Sequence, residues 1–182
     1  NKVKHNVIII TSPDSICWLL NMRGYDLEST PLVFCKVIFS KSELKLFVDT
    51  EKVPKNLKLM NKLKILDINN FEIELKKISR KAKILLDSKT SYFYFDFMTS
   101  LGLKPEIIED PCKILKSQKN KIEIKNTRKA HIWDGVSLVK FYTWLDKQKF
   151  DSNLDEVNVA SKLEKIRGEN KNFFSNSFPT IS

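Results

Sequence analysis

The sequence predicts an α/β fold: a roughly six-stranded mixed sheet flanked by helices, followed by two long helices. Three observations predict it. Short β-branched or aromatic runs alternate with helix-like segments over the first 110 residues. Two of those runs, Leu32–Phe39 and Glu43–Val48, are separated by only Ser40–Ser42, a gap that suits an antiparallel hairpin and makes the sheet mixed. After Asp110 the strand-like runs stop, and apolar residues recur at steps of three or four.

Taken in order, Val7–Thr11 is a β-branched run that suits a buried strand. Ser12, Pro13 and Asp14 read as a helix start: a cap, a residue that fits the first helical position, and an acid facing the positive end of the dipole. That helix should run through Trp18 and stop near Arg23–Gly24, glycine being the usual breaker. The hairpin comes next. Pro54–Asn61 reads as helix, Lys64–Ile68 as strand, Phe71–Ile78 as helix and Ala82–Leu86 as strand. Ser91–Leu101 reads as a helix ending at Gly102, although its aromatics also suit a strand; Pro105–Ile108 is a last short strand. Pro111 opens a short helix, Ile122 to about Asp146 reads as one long helix, and Asp155 caps another. Residues 1–112 therefore form one domain, 113–121 a linker, and 122–182 the start of a second domain.

Composition narrows the function. The chain has 182 residues, 42% of them apolar, enough to bury a core. No apolar run approaches the ~20 residues of a membrane span, and Asn1–Asn6 lacks the apolar stretch and cleavage site of a signal peptide. Cys17, Cys35 and Cys112 are odd in number and without CxxC spacing, which points to buried thiols in a reducing compartment. The net charge of +10 invites a nucleic-acid reading. Yet the bases are 28 Lys and 4 Arg, alongside 18 Ile and 14 Asn but only 3 Ala and 4 Gly, the signature of A/T-rich codons. Phosphate and base readers favour Arg for its bidentate fork. Lys113–Lys129 is basic, but it lacks interleaved aromatics. Nucleic acid is disfavoured as a partner.

Motifs for chemistry are scarce. No GxSxG, GxGxxG or GxxxxGK is present. His131 has only Asp134 nearby as a partner, too little for a metal site. No catalytic or metal-binding residue is assigned. One polar loop, Asn21–Asp26, stands out: a salt bridge between Arg23 and Asp26 that shapes the turn, and a loop that faces a partner domain, both fit it.

Longer patterns carry a resemblance. Asp14, Ile16, Trp18, Leu19, Asn21, Arg23, Gly24, Asp26 and Pro31, followed by Leu46–Asp49, resemble the D-x-I-x-W-L-x-N-x-R-G-x-D segment of the middle domain of long-form aminopeptidase P. These are Xaa-Pro aminopeptidases of the creatinase/prolidase, or pita-bread, superfamily. Lys119, Asn120, Glu123, Arg128, Ala130, His131, Asp134 and Gly135 are similar to the opening of that family's catalytic domain. Ala160–Leu163, Arg167 and Ser177–Ser182 are similar to the next segments of the same domain. Asn126 stands where the family often has Gly, and Trp133 where Arg is common.

The resemblance implies a creatinase-type middle domain (1–112) and an incomplete piece of the pita-bread domain (122–182). It implies a cytoplasmic parent, commonly a dimer, that removes an N-terminal residue preceding proline. The parent would use two divalent metals, typically manganese, held by two Asp, one His and two Glu. Those ligands lie beyond Phe178–Ser182 in the family, so this chain alone is expected to bind no metal and to be inactive, serving as scaffold or interface. The peptide substrate belongs to the full-length enzyme only, and no membrane is involved. The competing readings are a free-standing Lys-rich binding module, for nucleic acid or a protein partner, and a decayed gene product.

Overall fold

A computed structural model describes residues 6–54, 63–148 and 154–181. Its strands are β1 (Asn6–Ile10), β2 (Cys35–Ser40), β3 (Leu44–Val48), β4 (Leu63–Asp67), β5 (Lys83–Asp87) and β6 (Pro105–Ile108). The helices are α1 (Pro13–Leu19), α2 (Phe71–Lys76), α3 (Tyr92–Ser100), α4 (Cys112–Ser117), α5 (Lys121–Leu145) and α6 (Glu156–Gly168). The chain forms two compact units, the first running to Gln118 apart from Glu28–Thr30, the second from Lys119 onward. Apart from Pro54, the helix expected at Pro54–Asn61 lies outside the described residues.

The first unit holds a six-stranded sheet in the order β4-β3-β2-β1-β5-β6. β1–β2 and β2–β3 pair antiparallel; β3–β4, β1–β5 and β5–β6 pair parallel. β1 is the hinge of this mixed pattern, with Ile9 opposite Ile38 of β2 on one side and opposite Leu86 of β5 on the other.

Strand periodicity sorts the apolar side chains onto two faces. Val7, Ile9, Ile38, Phe47, Ile84 and Leu86 point to one face, which is closed by Phe71 and Leu75 of α2 and Met98 of α3. Ile10, Cys35, Val37, Leu44, Leu46 and Val48 point to the other, closed by Ile16 of α1 and Cys112 of α4. Both faces are covered, so β1 reads as an unbroken apolar run. Phe71 is the keystone of the first layer. It meets Phe47 and Tyr94 edge-on at 5.0 and 5.1 Å between ring centres. The Lys36 ammonium sits 4.9 Å from the Phe71 ring centre and 4.7 Å from that of Tyr94, and also donates to the Tyr94 hydroxyl.

Local signals shape the ends of elements. α3 ends at Gly102 with φ +75°, as the sequence leads one to expect. α1 does not end at Gly24. It stops at Leu19, and Asn21 takes the left-handed turn at φ +48°, a conformation that Asn tolerates better than most residues. β2 starts later than Leu32, because the Val33 and Phe34 amides are spent on Cys17 Sγ and on the Asp26 carboxylate instead of a neighbouring strand.

In the second unit α5 opens with a reciprocal capping box: Asn120 Oδ1 accepts from the Ile122 and Glu123 amides, and the Glu123 carboxylate accepts from the Asn120 amide. Asp155 caps α6 by accepting from the Asn158 amide at 2.7 Å. α6 runs back along α5, with Asp134 meeting Arg167 and Trp144 meeting Lys162.

Replacing Phe71 by Ala removes a ring that is 1% exposed, with its edge-on contacts and its lysine. Loss of about 3–5 kcal/mol is expected, read as a lower urea midpoint with an unchanged slope.

Candidate functional site

Three polar constellations stand out from the scaffold. The first is a buried knot at the carboxyl ends of the parallel strands β1, β5 and β6. Asp87 closes β5 and is 1% exposed; Asp110 follows β6 and is 7% exposed. Ser12 Oγ donates to Asp87 Oδ2 at 2.6 Å, and the Lys89 amide donates to Oδ1 at 3.1 Å. Ser15 Oγ donates to Asp110 Oδ2, and the Cys112 amide to Oδ1 at 2.8 Å. Every carboxylate oxygen thus has a donor, which is what burial of two acids demands. Ser12 and Ser15, three residues apart, project from one side of α1.

This overturns the reading of Ser12 as a side-chain cap. Its hydroxyl makes no capping bond within α1, because Asp87 takes it; only its carbonyl starts the helix, accepting from the Ile16 amide at 3.1 Å. Sequence reasoning misses the knot itself. Its one local signal is an Asp closing an apolar strand just before the polar turn Ser88–Thr90.

The second constellation is the loop Leu20–Phe34, which carries Arg23 and Asp26. The two do not pair with each other. Arg23 Nη1 folds back to the carbonyls of Cys17 at 3.1 Å and Met22 at 2.7 Å, closing the end of α1. Asp26 faces the other way: Oδ2 accepts from the Phe34 amide and Oδ1 from Lys52 Nζ, each at 2.8 Å. The Lys52 hydrogen bond, with that of Phe34, holds the Asp26 carboxyl below the usual carboxylate range. Gly24 is needed for closeness rather than for φ, since a Cβ there would lie 2.2 Å from Val33 Cγ2. Nearby Tyr25 is 82% exposed. Asp14, also in the motif, pairs with Lys116 of α4.

The third constellation lies wholly in the second unit. Asp134 does not serve His131. Its carboxylate receives Arg167 through Nε at 2.7 Å and Nη2 at 3.3 Å, a forked pair that ties α5 to α6. His131 is exposed. The pair borders an open hollow of about 540 Å³ lined also by Trp133, Phe174, Asn176 and Phe178. Asn176 Oδ1 is buried there without a hydrogen-bond partner.

No group of three or more His, Cys, Asp or Glu able to hold a metal occurs among the described residues. The acids of the three constellations are already committed, to serines, to Lys52 or to Arg167. Nor is any helix among the described residues long and apolar enough to cross a membrane.

The sheet topology and the Asp14–Asp26 segment agree with a match to the family model described as the Creatinase/Prolidase N-terminal domain, over residues 1–123. The chain belongs to this family. It is 33% identical to an Xaa-Pro aminopeptidase of Drosophila melanogaster over 97% of its own length and 30% of that relative's. Its fold matches that of an X-prolyl aminopeptidase from Caenorhabditis elegans, described as a cytosolic enzyme with a di-nuclear active site. There the TM-score is 0.81 at 22% identity, over 96% of this chain and 30% of that one. A prolidase from Pyrococcus furiosus matches with a TM-score of 0.63 at 17% identity, over 93% of this chain and 46% of that one. The creatinase-type chain thus spans about 30% of the length of the aminopeptidases it matches.

Asp26→Asn should lower stability at neutral pH by about 1 kcal/mol through loss of a charged acceptor. The sign follows from the depressed carboxyl. Its stabilisation is complete above the unfolded carboxyl value, about pH 4, and fades as pH falls through the lower folded value. Denaturant midpoints of the variant and the parent chain should therefore converge in acid. A gap that stays constant from neutral pH to below the carboxylate range would refute the pairing.

Proposed function

We propose that this chain is the scaffold portion of a longer Xaa-Pro aminopeptidase, an enzyme that removes an N-terminal residue preceding proline. In this reading residues 1–112 are the creatinase-type middle domain, 113–121 the joint, and 122–182 the opening of the pita-bread catalytic domain. One observation carries it: similarity runs through both units, over 97% of this chain, to a relative more than three times its length. The parent would act in the cytosol, commonly as a dimer, and its loop around Arg23 and Asp26 would face a neighbouring domain or subunit.

The family's two divalent metals, typically manganese, do not fit the described residues. Asp134 is held by Arg167, and Asp87 and Asp110 by serines and amides. No step of the reaction is routed through a metal on this chain. The contribution assigned to it is positional: the Asp134–Arg167 fork and the Asn120 box set the opening helices of the catalytic domain.

The surface of α5 supports the same reading. Ile132, Val136 and Val139, spaced as one helical stripe, are 66%, 52% and 66% exposed. Beside them Gly135 costs the helix about 1 kcal/mol relative to Ala, yet a Cβ there would meet nothing within 4 Å. A face of this kind suits close packing against further chain.

Two outcomes are expected. The purified 182-residue chain with manganese should release no amino acid from an X-Pro peptide, and metal-dependent release would overturn the assignment of the chemistry to residues elsewhere. The chain should also bind an apolar fluorescent dye or self-associate through α5. Substituting Ile132, Val136 and Val139 with Lys or Glu should abolish that signal, and a monomer that binds no dye would count against the packing role.

A further inference from the structure

The first three turns of α5 carry cations that the fold itself does not use. Lys121, Lys125, Arg128 and Lys129 are exposed, and none has a side-chain hydrogen bond or ion pair among the described residues. The two acids of α5 are spent elsewhere: Glu123 closes the capping box, and Asp134 is forked by Arg167.

Spacing sorts the helix into two sides. Ile122, Lys125, Lys129, Ile132, Val136 and Val139 follow one another at steps of three, four, three, four and three, the repeat of a coiled-coil seam. All six are exposed. Lys121 and Arg128 each precede a seam position by one residue, which puts them on its flank. α6 packs away from the seam, where Asp134 meets Arg167, Lys140 meets Glu169 and Trp144 meets Lys162. Over about 25 Å of helix, the free side begins as a cationic segment and ends as an aliphatic one.

We propose that the further chain covering α5 does so with an acidic amphipathic helix. Its carboxylates lie against the four cations, and its aliphatic side chains against Ile132, Val136 and Val139. The inference rests on the packing role assigned to α5 and names the chemistry of the segment that fills it.

Charge and register together favour this occupant. A nucleic acid would answer the cations but lay phosphates against three aliphatic side chains. A bilayer would take the aliphatics, but Lys125 and Lys129 stand in line with them, so insertion would bury both ammonium groups. A second copy in parallel register would set Lys125 against Lys125 and Lys129 against Lys129, like charges within one seam. A helix with Glu or Asp at the matching seam and flanking positions pairs every cation and covers every aliphatic. Charges at such positions choose the partner more than they tighten it, so discrimination between acidic and neutral helices is the signature.

The test titrates the folded 182-residue chain into fluorescein-labelled synthetic helices of three heptads and follows anisotropy. One half of each helix carries Glu at the seam and flank, the other half Leu and Ile at the seam; acids-first and acids-last versions cover parallel and antiparallel docking. The expected result is that at least one version binds about tenfold more tightly than its Glu→Gln counterpart and weakens as salt rises. Lys125→Glu with Lys129→Glu should lose that helix and gain its Glu→Lys counterpart, a swap that an unfolded variant could not produce. No binding by either version, or an unchanged preference in the double variant, would overturn the proposal. So would tighter binding to an oligo-dT of equal charge or to phosphatidylserine vesicles, or a dimer through α5 that the acidic helix does not displace. Equal binding of the Gln helix would remove the acidic partner while leaving the packing role of α5 intact; dye binding by α5 tests that role separately.

Discussion

Two carboxylates buried in a small domain are the constraint on which the rest of the first unit depends. Asp87 and Asp110 sit at the ends of adjacent parallel strands, where an unpaired charge would cost several kcal/mol. Their oxygens are met by Ser12, Ser15 and two backbone amides. Since both serines project from α1, that helix cannot rotate or slide without stripping a donor from a buried acid. β1 is fixed in the same act, because Ser12 follows it by only two residues.

The consequence passes along the chain to the loop. With α1 fixed, its last carbonyls lie where Arg23 and the Met22 amide reach that of Cys17. Asn21 then turns the chain through the left-handed region, and Gly24 lets it pass Val33 at a separation that no side chain would allow. Asp26 closes the circuit by holding Phe34 and Lys52. The Arg-Gly-x-Asp pattern is therefore two separate clamps, one on the helix end and one on the strand start. The pattern reads as one loop motif only because the clamps are adjacent in sequence.

What can be read from sequence divides along the range of the interaction. β1, β6 and α3 are legible to within a residue or two, because a β-branched run, a proline-led run and a following glycine are local signals. The cap of α6 is legible for the same reason, Asp155 bonding only within three residues of itself; the equally local Asn120 box of α5 is open to the same reading, but that helix is drawn from its apolar rhythm alone. Ser12 and Asp134 mislead because their true partners lie 75 and 33 residues away, Asp87 and Arg167. Nothing local distinguishes a capping serine from one recruited by a distant acid. The motif spanning Asp14 to Asp26 points to the family whose model matches residues 1–123. It does not disclose that Arg23 and Asp26 face apart, since spacing alone also fits a salt bridge between them.

The charge obeys the same logic. A surplus of +10 would mark a binding surface if the lysines converged on one face with few internal partners. Several are instead committed within the fold: Lys36 to two rings and a hydroxyl, Lys45 to Glu43 and Glu74, Lys52 to Asp26, Lys116 to Asp14, and Lys140 to Glu169. Lysine here serves the fold as an ion-pair and ring partner, and the largest uncovered apolar stripe of α5 runs instead along Ile132, Val136 and Val139.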